Sequence, residues 1–178
     1  MSPPAVFLDR DGVLNVATVR DGRPYPPASV AELTILPGVA AALAELKRAG
    51  YVLVVVTNQP DVARGTQTRA AIDAIHTWLR AELPIDAIYC CVHDDADDCA
   101  CRKPRPGLLL EAARELSLDL GSSFMVGDRW RDTEAGTAAG CRTAFVDHGY
   151  DERRPTRFDK QVTSLADATA WILSGTAT

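Results

Sequence analysis

The sequence predicts an α/β protein, a parallel sheet with helices packed on both faces. Short, continuously apolar runs alternate along it with longer stretches whose apolar residues recur at helical spacing. The clearest apolar run, Tyr51 to Val56, is also β-branched, the composition of a strand covered on both sides.

The elements follow in order. Ala5 to Leu8 is apolar without interruption and reads as the first strand. Val16 to Pro37 is polar and proline-bearing, a long connection. Residues 38–50 (GVAAALAELKRAG) form a helix closed by Gly50, whose freedom to turn left-handed suits a helix end. Tyr51 to Val56 is the second strand, Thr68 to Glu82 a helix and Ala87 to Cys91 a third strand. Gly107 to Leu116 is helical, and Ser123 to Val126 is a fourth strand. Asp132 to Ala139 is helical, Arg142 to Val146 is a strand, and a last helix lies near Leu165 to Ser174. No repeat, low-complexity tract or long linker divides the chain. A single domain over residues 1–178 is expected, and 47% hydrophobic residues are enough to give it one good core.

Composition also excludes partners. No apolar run is long enough to span a bilayer, and a strand starting near Ala5 leaves no room for a signal peptide, so a cytoplasmic location is expected. A net charge of −5 has the wrong sign for nucleic acid or an anionic membrane. The expected partner is a small molecule, and the expected state a monomer.

Polar constellations gather at the strand ends, where open α/β sheets bind ligands. The first strand runs into Asp9, Asp11 and Gly12. Taken alone, DRDG fits an acidic turn as well as a catalytic pair. As chemistry, a carboxylate at Asp9 can attack phosphorus once a cation offsets the repulsion, and Asp11 can serve as general acid and then base. The second strand ends in Thr57, Asn58 and Gln59. Thr57 offers a hydroxyl and an N–H to phosphate oxygens, and its two neighbours are candidate substrate contacts. After the third strand comes Lys103, a point charge for the transferring group. The fourth ends in Gly127 and Asp128, and Asp128 can complete a Mg²⁺ site with Asp9. Four such constellations at one edge favour the catalytic reading.

With DRDG, TNQ (Thr57 to Gln59), RKP (Arg102 to Pro104) and GDRWRD (Gly127 to Asp132) in this order, the chain resembles the haloacid dehalogenase superfamily of phosphatases over essentially its whole length. The resemblance implies a Rossmann-like sheet of order 3-2-1-4-5. It implies Asp9 as nucleophile, Asp11 as acid/base, Thr57 and Lys103 as phosphate ligands, and Mg²⁺ on Asp9, the Asp11 carbonyl and Asp128. Asp132 would support the metal shell. Intervals between motifs are too short for a cap domain, so loops should cover the site, with Val16 to Pro37 as the specificity element.

Cys91, His93, Cys99 and Cys101 place four soft ligands within eleven residues, a spacing suited to a structural Cys₃His Zn²⁺ site, with Cys90 an alternative to Cys91. Cys101 directly precedes Arg102 and Lys103, so a clamped loop would also aim those side chains. Such a loop marks a subgroup resembling heptose 1,7-bisphosphate 7-phosphatases and histidinol-phosphate phosphatases. Arg64, Arg102, Arg105 and Arg129 suit the second phosphate of a sugar bisphosphate, whereas Asp94, Asp95, Asp97 and Asp98 would suit the amine and imidazole of histidinol phosphate. The bisphosphate is the favoured reading. A phospho-accepting signalling domain uses related groups and is the alternative from another class.

Overall fold

Apolar runs that pair in parallel need helical crossovers, and the chain supplies them in turn. The computed structural model describes residues 1–175; residues 176–178 of the expected domain lie outside the described part. In chain order the elements are β1 (Pro4–Leu8), β2 (Thr18–Arg20), β3 (Arg23–Tyr25), α1 (Val39–Arg48), β4 (Val52–Asn58), α2 (Arg69–Glu82), β5 (Ala87–Cys91), α3 (Gly107–Leu116), β6 (Asp119–Gly127), α4 (Trp130–Ala139), β7 (Arg142–Val146), β8 (Lys160–Val162) and α5 (Leu165–Ser174).

The main sheet runs β5-β4-β1-β6-β7-β8, each adjacent pair parallel. The expected order of five strands is therefore present, with β8 added at one edge. Alternation along β1 sorts its side chains into two cores. Val6 and Leu8 pack with Leu43 of α1, Ile75 of α2 and Ile172 of α5, while Ala5 and Phe7 pack with Leu109 of α3 and Ala135 of α4. Each fully buried large apolar side chain contributes about 1.5–3 kcal/mol, far more than an exposed ion pair such as Arg69–Asp73. The two apolar layers hold the fold.

Differences from the expected boundaries have local causes. β4 continues through Thr57 and Asn58 because both still pair with β5, opposite Cys90 and Cys91. β6 starts early, at Asp119, which pairs with Pro4 across an irregularity in register. α4 starts at Trp130 rather than Asp132 because the Asp132 carboxylate accepts a hydrogen bond from the Arg129 N–H at 3.0 Å, closing the first turn. The connection from Val16 to Pro37 contains the antiparallel hairpin β2–β3, whose turn residues Asp21 and Gly22 have φ of 49° and 74°. Asp-Gly favours such a turn. Among the described residues, no helix is long and apolar enough to cross a membrane.

Candidate active site

β1 has β4 on one side and β6 on the other, so the carboxyl ends of these strands form the crevice where the chain reverses direction across the sheet. Asp9 leaves β1 there, its N–H bonded to the Val126 carbonyl of β6 at 2.9 Å. Asp128 leaves β6 beside it. Asp128 can pack against the turn that follows Asp9 because Gly12, at φ +85°, has no side chain: a Cβ there would lie 1.9 Å from Asp128 Oδ2. Gly12→Ala should therefore cost about 1–3 kcal/mol from the backbone alone, and more from the clash. Chemical denaturation checks this; a loss below about 0.5 kcal/mol would show that the turn relaxes freely. Gly127 does the same for α4, since a Cβ there would lie 2.1 Å from the Asp132 Cβ.

Lys103 reaches this crevice from the loop after β5. Its ammonium donates to Asp9 Oδ1 at 2.8 Å, Asp132 Oδ1 at 2.6 Å and the Val56 carbonyl at 2.7 Å, which uses all three protons. Asn58 fixes the lysine from behind, donating to the Lys103 carbonyl and accepting from its N–H, both at 3.1 Å. Asp11 stands aside from this cluster. Its Oδ1 accepts from Asn15 at 2.9 Å and the Arg10 guanidinium at 3.0 Å, and its Oδ2 from Gln59 at 2.8 Å. Gln59 also donates to the Thr57 hydroxyl at 2.9 Å.

Asp9 and Asp132 share the ammonium of Lys103, and the buried carboxylate of Asp128 lies beside them without bonding to it. Burial, then the Asp132 charge, pushes Asp9 up to about 6. Burial together with Asp9 and Asp132 raises Asp128 well above the ordinary aspartate value. Burial opposes the charge on Lys103, yet Asp132 and Asp9 hold its pKa above the usual lysine value. Both members of the Asp9–Lys103 pair are thus raised: the surplus of buried negative charge favours the charged lysine and adds to burial in disfavouring the charged aspartate. One oxygen from each of the three acids lies within 4.8 Å of the others, and Asp128 Oδ1 is buried with no hydrogen-bond partner. This donor set fits a hard divalent cation such as Mg²⁺, which takes a few carboxylates with water and phosphate completing its shell.

The second cluster is thiol-rich. Cys101 Sγ lies 3.1 Å from Cys91 Sγ and 3.4 Å from Cys99 Sγ, with His93 Nδ1 3.3 Å from Cys101 and 3.5 Å from Cys91. All five cysteines are free. Soft donors at these separations match the edges of a tetrahedral site. Cys90, adjacent in a strand and so on the opposite face of the sheet, takes no part in the cluster.

A cleft of about 280 Å³ opens over the acids. Asp9, Asp11, Lys103 and Asp128 line it, with Asn58, Arg64, Arg129 and Arg131 around them and Arg23 and Tyr25 contributed by the β2–β3 hairpin. The hairpin thus occupies the place expected of a specificity loop. Three expected contacts are placed differently. Thr57 and Gln59 are buried beneath the cleft, and Gln59 holds Asp11 instead of lining the cavity. Arg102 is turned away, its Nε donating to Asp95 at 2.7 Å and its Nη1 to the His93 carbonyl at 3.4 Å. Arg131 faces the cleft instead.

Sequence reading also passed over Arg10 and Tyr150. Arg10 is 0% exposed and lies 3.1 Å from His76 Nε2. That ring nitrogen must accept, and burial together with Arg10 lowers the His76 pKa to about 4. An arginine between two acids at a strand end was the available signal. Trp130 does not line the cleft; it lies between the guanidiniums of Arg131 and Arg153, 4.7 and 4.0 Å from its ring centroid.

An aspartate at the switch point of an α/β sheet, with a second acid two residues on and a buried lysine, is an arrangement that can support a carboxylate nucleophile. The chain belongs to the haloacid dehalogenase-like hydrolase family, whose model matches residues 17–140. It is 36% identical to the D-glycero-β-D-manno-heptose-1,7-bisphosphate 7-phosphatase of Salmonella typhi over 99% of this chain and 93% of that protein. It is 41% identical to the enzyme of that name from Photorhabdus laumondii over 76% of each chain. The crystal structure of D,D-heptose 1,7-bisphosphate phosphatase from B. bronchiseptica, complexed with magnesium and phosphate, superposes with a TM-score of 0.82 at 34% identity, covering 97% of this chain and 99% of that one.

Proposed function

We propose that this phosphatase removes the 7-phosphate of D-glycero-D-manno-heptose 1,7-bisphosphate. In this reading Asp9 attacks phosphorus to form an aspartyl-phosphate while Asp11 protonates the departing sugar oxygen. Asp11 then takes a proton from the water that hydrolyses the intermediate. Lys103 holds the phosphoryl oxygens near Asp9. Asp9, the Asp11 carbonyl and Asp128 would hold Mg²⁺, with Asp132 behind them. When bound, Mg²⁺ offsets charge between nucleophile and phosphate. Zn²⁺ on Cys91, His93, Cys99 and Cys101 would be structural.

The observation that carries the substrate assignment is the set of guanidiniums around the cleft, Arg23, Arg64, Arg129 and Arg131, drawn from three segments of the chain. They suit a second phosphate. None of Asp94, Asp95, Asp97 and Asp98, the acids that would favour histidinol phosphate, lines this cleft. The whole-chain similarity to heptose bisphosphatases supports the same substrate. The signalling alternative loses its ground with membership of a hydrolase family.

The test is phosphate release scored as kcat/KM for the heptose bisphosphate, histidinol phosphate and sugar monophosphates. The bisphosphate should lead by at least about tenfold, a difference of 1.4 kcal/mol. Arg131→Ala should raise KM for the bisphosphate by about tenfold or more and for a monophosphate far less, since it removes one charged hydrogen-bonding group. Preference for histidinol phosphate, or equal effects of Arg131→Ala on both substrate classes, would reject the assignment.

A further inference from the structure

Four tethers run from one short segment, residues 148–152, to the parts of the active site. His148 Nε2 donates to the Gly12 carbonyl at 2.7 Å, the Tyr150 hydroxyl to Asp128 Oδ2 at 2.8 Å and the Asp151 N–H to the Gly22 carbonyl at 2.8 Å, while Glu152 pairs with Arg129. The segment therefore clasps the first acidic motif, the last acidic motif and the hairpin together. None of its residues lines the cleft over Asp9.

Tyr150 is the informative member. Its phenol O–H donates to one of the two carboxylate oxygens, Oδ2. The other, Oδ1, is buried and has no hydrogen-bond partner. The Tyr150 oxygen also closes the gap left by Gly12: a Cβ there would lie 3.0 Å from it and 2.7 Å from the Asp128 Cγ. The Oδ2 side of the carboxylate is thus held by the hydroxyl and hemmed in by the Gly12 backbone.

We infer that Tyr150 is the positioning residue for the divalent cation, holding Asp128 by Oδ2 so that Oδ1 is presented as the ligand. Hydrogen bonds to a ligating carboxylate fix its orientation before the metal arrives, and their loss weakens binding by tenfold or more. Tyr150 touches neither substrate nor cation in this role. The inference rests on the Mg²⁺ site proposed above.

The experiment is Tyr150→Phe, which removes one oxygen and keeps the ring. Mg²⁺ is titrated in two ways, by calorimetry on the substrate-free protein and by the Mg²⁺ dependence of phosphate release. About tenfold weaker Mg²⁺ binding is expected in both, with turnover recovering as Mg²⁺ is raised. Equal Mg²⁺ affinity of wild type and variant overturns the inference. So does a loss of turnover that Mg²⁺ does not recover, which would place the phenol on the substrate side. A wild type that neither binds nor needs Mg²⁺ fails the metal reading itself, a result distinguishable from both.

Discussion

Asp9→Asn should abolish turnover, with kcat reduced by at least about 10³-fold, an increase of roughly 4 kcal/mol in the barrier. The amide keeps the shape of the carboxylate but is a poor nucleophile, so the covalent route closes. Stability should move the other way or not at all. Asp9 sits among Asp132, Asp128 and Lys103, and its own pKa is pushed up to about 6 by burial and by Asp132, so the fold works against its charge. Removing one of three crowded carboxylates leaves Lys103 paired with Asp132 at 2.6 Å. The buried lysine is not orphaned, and the large cost of an unpaired buried charge does not arise. Single-turnover assays and thermal unfolding check the two halves. Turnover within tenfold of wild type would remove Asp9 from the covalent role, and a Tm drop of many degrees would show that its charge stabilises the fold.

The pattern of elements was legible because each strand of the inner sheet is apolar on both faces and each helix carries an apolar stripe. Ala5 to Leu8 and Arg142 to Val146 could be read from composition alone. β8 could not, because Lys160–Val162 is three residues long and gains its strand conformation from pairing with Ala144 to Val146. The hairpin was legible in principle from Asp21-Gly22, a dipeptide that favours its turn. The proline-rich surroundings obscured it.

For the site, the sequence located the acids and Lys103 because chemistry restricts those residue types to the ends of strands. It could not orient long side chains. Arg102 and Arg131 are both arginines near motif residues, and only three-dimensional packing shows that Asp95 draws one away while the other also faces the cleft. Gln59 likewise lies two residues after Thr57, but the turn after β4 sends its amide to Asp11 as well as to the Thr57 hydroxyl. Tyr150 had no signal at all. It lies 22 residues from Asp128 on an irregular segment, and nothing in GYDERR marks a hydrogen bond to a carboxylate.

Replacing Cys99 and Cys101 together by Ser should abolish zinc binding, lower Tm by roughly 10 °C or more, and reduce kcat/KM by about an order of magnitude or more. The loop from Cys91 to Lys103 has little apolar burial beyond the cysteines themselves, and its 3₁₀ turn at Asp95–Asp97 contains no buried residue. Without a metal, its four donors would be crowded polar groups with weak mutual hydrogen bonds. With one, they become a crosslink that closes the loop and stabilises the folded chain by binding free energy. Catalysis would depend on that crosslink through two routes. Cys101 lies two residues before Lys103, whose ammonium must reach Asp9, and the acids of the same loop hold Arg64 and Arg131 at the cleft wall. Loss of the metal should therefore raise KM for a bisphosphate as well as lower kcat, a pattern that simple destabilisation below Tm would not produce. Elemental analysis of the purified protein should find about one zinc per chain, as a four-donor closed site requires. Its absence from active wild type, or a double Ser variant with unchanged kinetics, would mean the loop holds its shape without metal.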